Sequence, residues 1–292
     1  MNKGSDALQA SLVSYQEWLT KKGGAKLTIA SYLTDLRDTA AYLTSRGVTN
    51  WQQVDRATLT AYLQSLNDKG WRTTTIQRRI SSLRRFYAYL QVTGQVNHDP
   101  VALLKAKQTP RLAPVGLTPQ EADLLPDHVP GKGVARERNR ALVALLVATG
   151  ARANELRDLQ TCDLDLELGV VYLGQSSRRL VPLNEQAQTY LTTYLTARAD
   201  QSATDEGYVF LNNRGQPLSR QSIWEIVNAT GQRANIEGAV TPQRVRDGFA
   251  YRLLAHGADL SLVQQLMGHQ SILTTQVYLE QAKEGHHADR LP

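Results

Sequence analysis

A single cysteine, Cys162, is the only thiol in this 292-residue chain. That excludes an internal disulfide framework and a cysteine-based zinc site. No apolar run approaches the roughly 20 residues that a membrane-spanning helix needs. Residues 1–10 are polar and lack the apolar stretch of a secretory signal, so a cytoplasmic protein with no membrane partner is expected. Internal repeats and low-complexity tracts are absent. Lysine is missing from Gly133 to Ala282, which leaves arginine and histidine as the cations of that stretch.

What is present divides unevenly. A hydrophobic content of 41% marks a folded chain, long enough for two domains with separate cores. Residues 1–114 hold 16 Lys and Arg against 7 Asp and Glu, whereas the remainder holds 17 against 20. So basic a half points to a polyanion, most simply nucleic acid, although charge alone is equally compatible with a solvated surface.

The basic half reads as helices. Leu8, Leu12, Tyr15 and Leu19 recur at spacings of three and four, and Gly23-Gly24 ends that segment. Residues 28–46 carry Ile29, Leu33, Leu36 and Leu43 on one face. Asp55 is placed to cap a helix over 56–68. Residues 73–92 present Ile76, Ile80, Leu83, Phe86, Tyr87 and Leu90, with Arg72, Arg78, Arg79, Arg84 and Arg85 between them and no acid from Arg72 to Gln91. Four helices on short turns predict a small bundle. The arginines are expected to face a DNA groove or backbone. Residues 105–119 contain three prolines together with Lys105 and Lys107, an extended basic linker that could follow DNA. The charge balance reverses here, so the domains are expected to span 1–112 and 113–292.

Thr118-Pro119-Gln120-Glu121 opens the second part with a capping box. A helix is expected over 138–148, and further helices over 219–234, 242–256, 259–267 and 271–283. Between them, Val170 to Leu173 and Leu180-Val181 flank a polar tip, which reads as a β-hairpin, and Tyr208 to Leu211 reads as a short strand. The expected class is mainly α with a small antiparallel β-sheet.

Three blocks carry chemistry. Thr149-Gly150-Ala151-Arg152-Ala153-Asn154-Glu155 comes first, then Thr241-Pro242-Gln243-Arg244-Val245-Arg246-Asp247. Gly268-His269-Gln270-Ser271 follows, with Tyr278 nine residues after the histidine. Their order and spacing resemble the tyrosine recombinases, especially the Xer-like and phage-integrase-like branch, over nearly the whole chain. The resemblance implies an N-terminal SAM-like core-binding bundle and a C-terminal catalytic domain. It also implies a protein that cuts and rejoins double-stranded DNA and assembles as a tetramer on it.

The chemistry explains the residue types. Breaking a phosphodiester without metal, ATP or cofactor needs a nucleophile whose covalent product conserves the bond energy, and a tyrosine does this as a 3′-phosphotyrosine. Charge building on the non-bridging oxygens needs planar cationic forks. By resemblance Tyr278 is the nucleophile, Arg152 and Arg246 hold the phosphate, Glu155 orients Arg152 or its neighbours, and His269 bonds the phosphate or helps take the tyrosine proton. Each of these, met singly, has an ordinary structural reading as well.

The chain departs from the family pattern in two places. The hairpin lysine that would protonate the leaving 5′ oxygen is absent, and Gln175 falls near its place. Arg178 and Arg179 follow, but a guanidinium gives up a proton poorly. The His-x-x-Arg box begins with Gln243, and Asp247 stands where a histidine is common. Two readings therefore stay open, an active but slow recombinase and a DNA-binding protein on the same scaffold. A type IB topoisomerase shares the chemistry, but the compact layout and Xer-like blocks disfavour it.

Overall fold

The computed structural model describes residues 3–104, 115–175, 178–199 and 207–279. The chain divides into two compact units, Met1–Arg111 and Leu112–Pro292.

The first unit contains helices α1 (Lys3–Lys21), α2 (Lys26–Ser45), α3 (Arg56–Asp68) and α4 (Thr73–Val92). Local signals set their limits. The Asp55 carboxylate accepts the Thr58 amide at 2.8 Å, satisfying one of the unpaired donors at the start of α3. The periodic apolar faces meet in one core, with Leu8, Leu12, Tyr15, Leu36, Leu59, Phe86, Tyr87 and Leu90 buried. Trp51, in a short 3-10 turn between α2 and α3, joins that core and donates its indole N–H to the Leu8 carbonyl at 3.1 Å.

Arg79 does not share the outward face expected for the α4 arginines. It is 3% exposed and donates to Tyr62 Oη and Asp38 Oδ2, each at 2.6 Å, beneath the Trp71 ring. Asp35, 1% exposed, takes Arg78 and the Ser82 hydroxyl nearby. Position 79 falls on the buried stripe of α4 with Ile76, Ile80 and Leu83, so its charge was drawn to carboxylates of α2 rather than to solvent. Arg72, Arg78, Arg84 and Arg85 remain exposed. Arg79→Ala should cost about 3–5 kcal/mol by breaking a buried ion cluster, whereas Arg85→Ala should stay within about 0.5 kcal/mol. A urea titration followed by tryptophan fluorescence reads this unit, which holds Trp18, Trp51 and Trp71. Equal losses from the two variants would remove the cluster's structural role.

The second unit is built round α6 (Gly133–Thr149), whose residues Ala141 to Val147 are buried on all sides. A helix apolar all round belongs in the middle of a domain. It packs against α8 (Glu185–Ala199) and α10 (Pro242–Ala255). The remaining helices are α5 (Pro119–Leu124), α7 (Ala153–Arg157), α9 (Arg220–Arg233), α11 (Leu260–Met267) and α12 (residues 272–279). The capping box at α5 forms as expected. Thr118 Oγ1 accepts the Glu121 amide at 3.1 Å, and Glu121 accepts the Thr118 amide at 2.9 Å.

The sheet runs in the order β1-β2-β3, with β1 Leu164–Asp165, β2 Val170–Leu173 and β3 Arg179–Pro182, all antiparallel. The hairpin register pairs Leu173 with Arg179 and Val171 with Val181. That sends Val171, Leu173 and Val181 inward and leaves Gly174, Gln175 and Arg178 beyond the paired strands. Two local expectations differ. Tyr208 to Leu211 forms only single bridges, Tyr208 to Gln160 and Leu211 to Pro217, because its backbone changes partner from one side to the other. Val209 and Phe210 are nonetheless core. Helix α8 was not anticipated. Its buried positions Ala187, Leu191 and Tyr194 keep helical spacing, but threonines interrupt the pattern.

Candidate active site

The site gathers where α6, α10 and α11 present their ends to one another. Helix α6 stops at Gly150, whose φ of 58° and close approach to Phe249 both require glycine. Helix α11 stops at Gly268 in the same left-handed conformation. The last carbonyls of a helix lack intrahelical partners and carry the negative end of its dipole. Arg246, 2% exposed on α10, meets them from between, one guanidinium nitrogen donating to the Gly150 carbonyl and the other to that of Met267. Burial, and repulsion from Arg152 and Arg179, lower its pKa to about 10, so it is still charged at neutral pH.

Arg152 follows the Gly150 turn and starts α7. Its Nη2 donates to the Gly268 carbonyl at 3.0 Å. Glu155 folds back on it, accepting the Arg152 amide at 2.6 Å and Nη1 at 3.1 Å. The same carboxylate accepts a two-point fork from Arg179, at 2.6 and 2.9 Å. Burial works against the Glu155 charge. The bonds from Arg179 and the Arg152 amide outweigh it and hold the carboxyl below its usual range. Glu155 thus ties α7 to β3 and fixes Arg152 through both backbone and side chain. Sequence reasoning named Arg179 only as a poor proton donor. It is instead the support of Glu155, with its Nε on the Leu266 carbonyl at 2.7 Å. Arg178 turns away to Asp163, at 2.7 Å, and lies over the Tyr172 ring.

Two clefts flank Arg152. One, of about 830 Å³, is lined by Arg152, Glu155, Gln175, Arg178, His269 and Ser271. The other, of about 640 Å³, is lined by Arg152, Arg220, Trp224, Gln243 and Arg246. Gln175 is exposed at the hairpin tip, and residues 176–177 lie outside the described residues. Three arginines against the carboxylates Glu155 and Asp247 leave the region electropositive, suited to a phosphate. Among the described residues, no group of three or more His, Cys, Asp or Glu side chains is placed to hold a metal ion.

His269 and Tyr278 come from the turn after α11 and from α12. His269 Nδ1 and Thr275 Oγ1 share a hydrogen bond of 2.9 Å. Burial first, then Arg246, Arg152 and Arg179, push the imidazole pKa down to about 4, so the ring is neutral at pH 7. It stacks parallel to the Tyr278 ring, with centroids 6.2 Å apart. Tyr278 is 5% exposed among Phe249, Ala250, Val263 and Met267. Its hydroxyl donates to Asp247 Oδ1 at 2.8 Å. Gln243 Nε2 donates to the same oxygen, also at 2.8 Å. The amide of Gln243 thus serves Asp247.

Arg152, Arg246, Glu155, His269, Gln243 and Tyr278 therefore belong to one connected region, and Gln175 borders it. Of the residues expected at DNA in the first unit, Arg78 reaches Ser31 as well as Asp35, Arg84 bonds the Leu104 carbonyl at 2.6 Å, and Arg85 lies over Tyr32. Lys105 and Lys107 lie outside the described residues. No described helix is long and apolar enough to cross a membrane.

The chain matches the Phage integrase family over residues 116–285 and the Phage integrase, N-terminal SAM-like domain over residues 12–94. It is 34% identical over 267 residues to tyrosine recombinase XerD of Staphylococcus aureus, covering 90% of each chain. Its structure is similar to that of the XerA recombinase, with 25% identity, a TM-score of 0.55, and 97% of this chain and 99% of that one covered. It also shares the fold of the XerH site-specific recombinase bound to a palindromic difH substrate, with 22% identity, a TM-score of 0.79, and coverage of 94% and 83%. Sequence blocks, fold and relatives agree: the chain belongs to the phage integrase family of tyrosine recombinases.

Proposed function

We propose that this protein is a site-specific DNA recombinase that cuts and rejoins duplex DNA through a 3′-phosphotyrosine on Tyr278. The observation that carries the reading is the setting of Arg246. It is a buried, charged guanidinium held between two helix ends, with Arg152 fixed beside it by Glu155 and Tyr278 bonded to Asp247, the next residue along α10. Cations held this way need no reorganisation when charge builds on a phosphorane. Arg152 and Arg246 take the non-bridging oxygens. Glu155 and Arg179 fix Arg152, and His269 supplies a neutral imidazole beside the tyrosine. The DNA face of the first unit is assigned to Arg72, Arg78, Arg84 and Arg85, with Lys105 and Lys107 following the backbone and Arg79 internal. Residues 1–112 are assigned to core binding and 113–292 to catalysis, and exchange takes place in a tetramer assembled on DNA.

A non-catalytic DNA-binding role on the same scaffold draws support from one feature: the hairpin tip offers Gln175, which has no proton to give. A nicked duplex selected from a random-sequence pool by its binding to this protein separates the two. Wild type should form a covalent adduct that survives detergent, without added metal or ATP. Tyr278→Phe should form none while binding the duplex with nearly unchanged affinity, since it loses one hydroxyl and no charge. Tight binding with no adduct from wild type would leave the DNA-binding role standing.

A further inference from the structure

We infer that Asp247 is the proton acceptor for the Tyr278 hydroxyl in strand cleavage, and that Gln243 positions Asp247 for this task. The inference rests on Tyr278 being the nucleophile. The departures at positions 243 and 247 then become one device.

The geometry is specific. Asp247 Oδ1 takes both the Tyr278 hydroxyl and the Gln243 amide, each at 2.8 Å. Gln243 and Asp247 lie four residues apart on α10, so they share a face. Asp247 and Tyr278 are each 5% exposed, which keeps water from competing for the proton. The phenol needs such help. Burial and the Asp247 hydrogen bond both raise its pKa well above the usual tyrosine range, so the free tyrosinate is scarce at neutral pH.

His269 is not set for the role in this arrangement. Its ring lies 9° from parallel with the Tyr278 ring, and its Nδ1 is engaged by Thr275. Tyr251 meets Tyr278 edge-on, at 5.2 Å and 78°. The Asp247 carboxylate is the group to which the phenolic O–H donates.

Basicity explains the partner chosen. Burial raises the Asp247 pKa above that of an ordinary carboxylate, against the pull of its hydrogen bonds from Tyr278 and Gln243 and of the Arg246 charge. A histidinium or lysine at 243 would pair with Asp247 and make it a weaker base. The neutral amide of Gln243 holds the same oxygen without supplying a full charge.

The step balances. The phenolic proton moves to Asp247 Oδ1 as the phenolic oxygen forms its bond to phosphorus. The bond from phosphorus to the 5′ oxygen breaks, and that oxygen leaves with the electron pair and takes a proton from water. In rejoining, a 5′-hydroxyl gives its proton to hydroxide from the surrounding water as it attacks phosphorus, the bond from phosphorus to the phenolic oxygen breaks, and the departing tyrosinate takes its proton back from Asp247.

The test measures adduct formation on the selected nicked duplex by wild type, Asp247→Asn and Gln243→Leu. Each carries either tyrosine or a more acidic fluorotyrosine at 278. Asparagine keeps the shape and an acceptor oxygen but is a poor base. Asp247→Asn should slow the adduct by about 10²-fold or more, the scale of lost general base catalysis. Fluorotyrosine should recover about tenfold in Asp247→Asn, and less in Gln243→Leu, while giving no gain in wild type, because a more acidic phenol depends less on a base. DNA affinity and thermal melting of each variant identify any misfolding, and a packing defect would not respond to phenol acidity.

An Asp247→Asn rate equal to wild type overturns the inference and leaves the recombinase reading intact. A faster rate makes Asp247 a latch on a stored tyrosine, and also overturns it. A slow rate that fluorotyrosine leaves unchanged does the same. No adduct from wild type on tightly bound duplex overturns both readings.

Discussion

Arg246→Ala should reduce covalent adduct formation by at least about 10²–10³-fold, the loss of about 3–4 kcal/mol that follows removal of one oxyanion donor. The same substitution should also weaken the fold. The Gly150 and Met267 carbonyls would lose the buried donors that satisfy them, each at a cost of about 1–3 kcal/mol. The two effects come apart in a series. Arg246→Lys keeps the charge, but one ammonium cannot reproduce a planar fork that reaches both helix ends. It should recover part of the duplex affinity and little of the rate. Adduct yield is read below the melting temperature of each variant, with circular dichroism to confirm folding. A folded Arg246→Ala protein that forms adduct at the wild-type rate would remove Arg246 from the reaction.

Gln175→Lys should act in the opposite direction. The exposed tip residue borders the cleft that Arg152 and His269 also line, and an ammonium there can hand a proton to the leaving 5′ oxygen. General acid help is worth about 10²–10⁴ in rate, and a mobile side chain on a hairpin tip should reach only the lower end, about 10²-fold. The control is a substrate whose bridging 5′ oxygen is replaced by sulfur. A thiolate leaves without protonation, so the lysine should give no gain there. Acceleration of both substrates alike would mean that the added charge merely tightened DNA binding. No gain on either would show that the tip does not reach the scissile phosphate.

The local signals in the chain were readable because local forces make them. Asp55, Thr118, Thr241 and Asp259 each accept a backbone amide within three residues, and the helices they start lie where the caps place them. The apolar spacing of α1 to α4 marked a bundle because each face had to be buried, whatever the partner. Three spaced blocks drew attention to Arg152, Arg246, His269 and Tyr278, and the fold gathers them into one region.

Other features depended on neighbours far along the chain. Arg79 lies on a helix with no acid of its own, and carboxylates of α2 turned it inward. Arg179 and Glu155 meet 24 residues apart, across a hairpin whose register decides which arginine faces inward and which faces Asp163. Leu164–Asp165 became the third strand because β2 had a free edge beside it, while Tyr208 to Leu211, apolar enough for a strand, had no single edge to follow.

Asp247 is the sharpest case. In the sequence it stands next to Arg246 and reads as an acid placed against an anion site. Successive residues on a helix point about 100° apart, so Asp247 faces Tyr278, 31 positions later, while Arg246 faces the ends of α6 and α11. The sequence determined the kinds of groups available and the local turns that present them. The direction of each charge was decided by tertiary packing, because a buried ion must be met by whatever opposite charge or dipole the fold brings within reach.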